Sequence, residues 1–287
     1  MLKKLVNECR VQLAISPDGP IRIADGDRRV NRIGQMVKTN GQIYLPGSSL
    51  KGVFRSHLER IIRTINPKKV CELFGENGCS DKLQKRIKRD KLKKYPSDEA
   101  YKDSCAICKV FGNLHLSSRF DIDDAIGKNI TTETRTNVAI NRFTGGQQHG
   151  ALLTQEVISG GTFETTIKLT NFEIWMLGLL SILLKSLSEQ VIRVGHSTSR
   201  GLGKIKTAIK NFSIVYYGNT APQNGLKGIG SFVVGGNYGF VQNDEINLEN
   251  IIWQDKSYYF ISEFDEAQRN NLFEKSMQKL RNYLGGE

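Results

Sequence analysis

Four cysteines fall in two pairs, Cys71-x7-Cys79 and, 25 residues on, Cys105-x2-Cys108. A CxxC step turns two sulfurs toward one point, and clustering of this kind favours a metal over disulfides. Four thiolates around one ion make the closed tetrahedral shell of structural zinc, with no open position for a reaction. His115, seven residues past Cys108, is the rival ligand, although a lone histidine there is more simply a surface or core residue.

Three further stretches carry chemistry suited to a polyanion. In "LPGSSLKGVFRSHLERI" (45–61) a strand enters a Pro-Gly turn and then a helix. The first N–H groups of a helix lack intrahelical partners and lie at the positive end of its dipole. Ser48 and Ser49 add donors, Lys51 adds charge, and Gly47 and Gly52 admit a phosphate to the backbone. Plain N-capping would explain one serine but not the lysine or the glycines. The second stretch, "RVGHSTSRGLGK" (193–204), combines Gly195, Gly201 and Gly203 with three hydroxyls and the bases Arg193, Arg200 and Lys204. It suits a backbone phosphate cradle but lacks the P-loop spacing, so no nucleotide triphosphatase is expected. A flexible turn is the alternative. In the third, "TTETRTNVAINRFTGGQQHG" (131–150), Arg135, Asn137, Asn141, Arg142, Thr144 and Gln147 offer bonds to sugar and phosphate. Val138, Ile140 and Phe143 offer apolar wedges that can part neighbouring bases; packing of Val138 and Ile140 on the core is the plainer reading.

The elements that must position these groups follow from periodicity. Residues 3–15 alternate, with Cys9, Val11, Leu13 and Ile15 on one side, which makes Cys9 core rather than ligand. A helix from about Leu50 to Thr64 carries Leu50, Val53, Phe54, Leu58, Ile61 and Ile62 on one face. Strand-like runs 151–158 and 162–170 flank Gly160-Gly161, a hairpin signal. A strongly apolar helix spans 172–188, and a strand runs from Lys204 to Tyr217. The order is β-α-β-β-α-β, an α+β ferredoxin-like or RRM-like arrangement, followed by a Gly/Asn-rich stretch and a final amphipathic helix.

Net charge is +12 over 287 residues, and residues 81–94 alone hold eight basic against two acidic side chains. Such a balance suits nucleic acid, although the 81–94 run reads equally as a solvated face. No signal-peptide pattern opens the chain, and the longest apolar run, Ile174 to Leu184, is too short to span a bilayer. A cytoplasmic protein without membrane partners is expected.

The strand-"LPGSSLKGVFRSHLERI", "SCAICKVFG", "RTNVAINRFTGG" and "GHSTSRGLGK" motifs occur in the order of one family. Over residues 5–215 the chain resembles the RAMP-superfamily backbone subunits of type III CRISPR effector complexes, the Csm and Cmr kind, and most of all the zinc-containing type III-D branch. The resemblance implies an RRM-like palm over 1–65 and 114–217, a thumb hairpin at about 131–150, a zinc-binding basic insertion over 66–113 and a C-terminal extension over 218–287. It implies a ribonucleoprotein complex for antiviral defense, in which such subunits stack along a guide RNA (crRNA) beside other subunits. Guide phosphates would be held by Gly47, Ser48, Ser49, Lys51 and Arg55 together with Gly195, His196, Ser199, Arg200, Gly201, Gly203 and Lys204. The thumb would contribute Arg135, Asn137, Asn141, Arg142, Phe143 and Thr144 and kink the guide–target duplex.

In cleaving members an aspartate after the first strand cuts complementary target RNA. Here "Ala24-Asp25-Gly26-Asp27" makes Asp27 the first choice and Asp25 the second. A magnesium or similar divalent ion would assist such an endoribonuclease. The alternatives are a non-cleaving scaffold subunit, an aspartate that only forms a turn, a guide-processing ribonuclease using His57, His149 or His196, and a stand-alone zinc-containing RNA-binding protein.

Overall fold

The computed structural model describes residues 3–23, 37–72, 77–233 and 237–285, with backbone alone for 148–153. Strand β1 (Asn7–Pro17) is followed by a small pair, β2 (Lys38–Thr39) and β3 (Gln42–Leu45), and by helix α1 (Gly47–Ile65). Helices α2 (Cys79–Arg89), α3 (Ser97–Lys102) and α4 (Ala106–Phe111) form the insertion. Strands β4 (Phe120–Ile122), β5 (Ala125–Ile140) and β6 (Gln147–Thr170), helix α5 (Ile174–Ser188) and strand β7 (Ile205–Tyr217) complete the palm. Beyond it lie β8 (Leu226–Lys227), β9 (Glu245–Ile246), β10 (Gln254–Asp255), β11 (Tyr259–Glu263) and helix α6 (Glu266–Leu284).

The sheet order β7-β1-β6-β5 has antiparallel neighbours throughout, the ferredoxin-like arrangement expected from the element order. β3 and β2 extend one edge, and β11 and β10 the other. Cys9, Val11, Leu13 and Ile15 of β1 are buried against the helices, so Cys9 is core, and burial pushes its thiol pKa up. In α1 the buried residues Leu50, Phe54, Leu58 and Ile62 recur every four positions. The helix stops at Asn66 because Pro67 forces the residue before it out of helical geometry.

Helix α5 is buried almost all round because α6 covers its outer side. Gly178 makes this approach possible, since a Cβ there would lie 2.7 Å from the Ser276 carbonyl oxygen. Ahead of α5, the buried Arg119 guanidinium donates to the Asn171 carbonyl and lies 4.3 Å from the Tyr101 ring centroid. Tyr101 in turn donates to Glu173.

The hairpin expected at Gly160-Gly161 is not there: 151–158 and 162–170 belong to the single 24-residue strand β6. The two glycines oppose Asn129–Thr131, where the β5–β6 pairing shifts register. Gly161 has φ +106°, and a Cβ on it would lie 2.6 Å from Ile130 Cδ1. The pair therefore makes a bulge rather than a turn. The chain reverses instead at Asn141–Gly146, where Asn141 N–H donates to the Gly146 carbonyl at 2.8 Å.

Candidate metal centre and nucleic-acid surface

The cysteines arrive from three places: Cys71 just after the turn that follows α1, Cys79 at the start of α2, and Cys105 and Cys108 as the N-cap and first turn of α4. Their four sulfurs all lie within 4.8 Å of one another, and Cys71 Sγ is 3.7 Å from Cys108 Sγ. A tetrahedral zinc with Zn–S bonds of about 2.3 Å needs sulfurs about 3.8 Å apart, so these residues fit that ion. The amide of Cys105 donates to Cys79 Sγ at 3.2 Å, and that of Cys108 to Cys105 Sγ at 3.4 Å, bonds that favour thiolates. Sulfurs this close cannot all ionise without a cation. Hydrogen bonding led by Cys105 lowers the pKa of Cys71 and raises those of Cys79 and Cys108. Among the described residues His115 is not in the cluster.

Helix α1 reaches this centre twice. Arg55 donates to Cys108 Sγ at 3.4 Å, to the Gly112 carbonyl at 3.0 Å and to Glu59 Oε1 at 2.9 Å. Two turns on, Arg63 donates to the Cys71 carbonyl at 2.9 Å. Arg55, expected in the phosphate seat, is thus engaged by Cys108, Gly112 and Glu59.

The start of α1 is also partly occupied by the chain itself. Gly47 N–H donates to Asp124 Oδ1 at 2.7 Å, and a Cβ on Gly47 would lie 2.5 Å from the Ile122 carbonyl oxygen. This glycine is required by close packing against β4. Lys51 Nζ donates to Ser118 Oγ at 2.8 Å and lies 3.9 Å from Asp121; burial lowers its pKa, with Asp121 opposing. Ser48, Ser49 and Gly52 stay exposed.

The glycine-rich loop is built onto the segment that follows β1. Gly195 has φ +87°, a Cβ there would lie 2.3 Å from the Arg22 carbonyl oxygen, and His196 N–H donates to that oxygen at 2.7 Å. Gly203 N–H donates to the Pro20 carbonyl at 2.8 Å. Lys204 and Lys206 hold Asp18 at 2.8 Å and 2.6 Å, and their hydrogen bonds keep its carboxyl well below the usual carboxylate range. Arg200 donates to Ser197 Oγ at 2.8 Å, while His196, Ser199, Arg200 and Gly201 form an exposed rim.

The same segment is bonded to the foot of the long hairpin. Ile21 exchanges both backbone hydrogen bonds with Ile158, at 2.9 Å and 2.7 Å, and Arg22 Nη1 donates to Gln155 Oε1 at 2.8 Å. Glycine-rich loop, post-β1 segment and hairpin foot therefore meet. Asp25 and Asp27 follow two and four residues after Ile23 and lie outside the described residues. Arg22 and Gln155 frame this junction and carry no motif, so no spacing in the sequence points to them.

At the hairpin tip Phe143 is 99% exposed, and Val138 and Ile140 are 50% and 68% exposed, so neither packs on the core. Arg135, Asn137, Arg142, Thr144 and Gln147 are exposed as well. Asn141 Oδ1 accepts from the amides of Phe143 and Thr144 at 2.8 Å and 3.2 Å, so it shapes the turn that presents Phe143. Of the histidines proposed for chemistry, His57 is buried and its Nε2 has no hydrogen-bond partner among the described residues, His196 is exposed, and the side chain of His149 lies outside the described residues.

No helix among the described residues is long and apolar enough to cross a membrane. A family model described as the RAMP superfamily matches residues 15–206, about two thirds of the chain. No curated protein matches the sequence.

Proposed function

Because the chain belongs to the RAMP superfamily, a family of CRISPR-associated RNA-binding proteins, we propose that it is a guide-RNA-binding backbone subunit of a type III effector complex, of the zinc-containing branch. The observation that carries this reading is the junction of glycine-rich loop, post-β1 segment and hairpin foot, held by Gly195, Arg22, Ile21 and Ile158. An exposed basic loop beside an exposed hairpin with an apolar tip suits a phosphate backbone on one side and a base step on the other. Guide pairing would select the target, and the protein would contact backbone and shape without base-specific sites. Ser48, Ser49, His196, Ser199, Arg200 and Gly201 are the exposed candidates for guide phosphates, with Arg135, Asn137, Arg142, Phe143 and Thr144 on the thumb.

Target cleavage is assigned to Asp27, with Asp25 second, four and two residues past Ile23 in the sequence. A divalent ion such as magnesium bound there would offset charge on the scissile phosphate. The zinc would be structural, held by Cys71, Cys79, Cys105 and Cys108, and the other partners would be further subunits of a cytoplasmic antiviral complex.

The test is cleavage of labelled RNA complementary to the bound guide. Complexes carrying wild type, Asp27→Ala and Asp25→Ala are compared with magnesium and with chelator. Loss of a cut in one variant with guide loading intact is expected for the nuclease. Identical cutting by all three would make the chain a scaffold and the aspartates turn formers.

A further inference from the structure

The run 81–94 acquires a definite shape. Helix α2 is fixed at its start by Cys79 and along one side by Leu83 and Ile87, which pack with Tyr95 and Ala100 in a miniature core of their own. Arg86 bonds Tyr95 and Asp103, and Lys102 and Asp98 of α3 both bond Asn237. At 100° per residue, Lys82, Lys85, Arg86 and Arg89 fall on one stripe away from Leu83 and Ile87. Lysines 88, 91, 93 and 94 continue it around the helix end, and all four are exposed.

Two features argue against a merely solvated face. Like charges three and four positions apart on a helix destabilise it, and this stripe holds several such pairs. Soluble surfaces relieve such repulsion by interspersing acids. Here Arg86 pairs with Asp103 and Arg89 with Asp90, while among the described residues Lys82, Lys88, Lys91, Lys93 and Lys94 have no acidic partner. The insertion thus uses a metal-type cluster and a small core to hold a self-repelling array in a fixed direction.

We propose that the solvent face of α2 and the lysines after it form a second RNA-backbone surface, distinct from the glycine-rich loop and the hairpin. The proposal rests on RNA being the partner of this chain, and adds a contact that reads charge spacing rather than sequence. From Lys82 to Arg89 the helix advances about 10 Å, enough to meet more than one phosphate of a single strand.

The experiment is fluorescence anisotropy of full-length protein with two unrelated labelled single-stranded RNAs across a salt series. The combined Lys82→Gln, Lys88→Gln, Lys91→Gln, Lys94→Gln variant is compared with Arg135→Gln, Arg142→Gln and with wild type. Zinc content and circular dichroism verify the fold. Each lost phosphate contact lowers the slope of log K against log salt by about 0.7, so the lysine variant should lose up to about 3 in slope. It should also bind both RNAs about tenfold or more weakly at low salt. If the lysine variant binds as wild type while the hairpin variant weakens, this surface is refuted and the RNA-binding reading stands. If wild type binds neither RNA, both fall. If the lysine variant keeps RNA affinity but no longer assembles with other subunits, the stripe serves an acidic protein face and the proposal is overturned.

Discussion

Arg55 illustrates what a single residue can conceal. On helical spacing it follows Lys51 by one turn and suits the same phosphate, yet its guanidinium turns under the helix to Cys108, 53 positions away. The cysteine pairs are legible because metal chemistry fixes both ligand type and CxxC spacing, whereas nothing local marks the arginine that faces them. A zinc bound by the four thiolates would carry a formal charge of −2, which Arg55 would partly offset from a half-buried position while Glu59 orients it. Loss of such a supporting partner typically costs ten- to a hundredfold in metal affinity. Zinc release from Arg55→Ala to a chelating dye should therefore run about tenfold faster than from wild type, with Arg55→Lys between them. Equal rates would reduce Arg55 to a strap between α1 and Gly112. Asp124 on Gly47 is a second case: its carboxylate satisfies an amide that sequence spacing offers to a phosphate.

At the scale of elements, β6 is the instructive departure. Two adjacent glycines between strand-like runs are a sound turn signal, but a bulge needs the same freedom of backbone, and only the partner strand distinguishes the two. Here the partner is β5, whose Ile130 fills the space a Cβ on Gly161 would take. The true turn lies within the hairpin that the family resemblance implied at about 131–150, and its apolar tip follows from Asn141 binding the next two amides. Because Phe143 touches so little of its own chain, Phe143→Ala should leave the melting temperature unchanged within about 1 °C. If the tip parts a base step, guide–target duplexes in assembled complexes should lose about 1–3 kcal/mol of binding. A variant that melts early would mean the tip packs on the hairpin instead; unchanged duplex affinity would remove the wedge.

The molecule as a whole is closed by its C-terminal extension, which carried no motif. Asp244, 1% exposed, accepts from the first amide of α5, Ile174, at 2.9 Å and shares this buried ground with Glu173. Burial first, then Glu173, raises its pKa from 3.8 to about 7. Below pH 4 the carboxyl is protonated folded or unfolded, so it has no effect. From pH 4 to 7 only the folded state keeps the proton, so rising pH weakens the fold, and above 7 the full cost remains. Between pH 5 and 8 wild type should lose about 2 kcal/mol more than zinc-loaded Asp244→Asn, read from paired denaturation curves. Curves that move in parallel would mean the helix start holds the charge without cost. The place of β1 carries another consequence, for synthesis. Its two neighbours are 163–170 and 205–217, so roughly 150 further residues must follow before either arrives. At about 5–20 residues per second that is on the order of ten to thirty seconds. Until then the apolar side chains of residues 7–17 have no sheet partner to cover them. The order of the strands thus sets how long that apolar face waits for its cover.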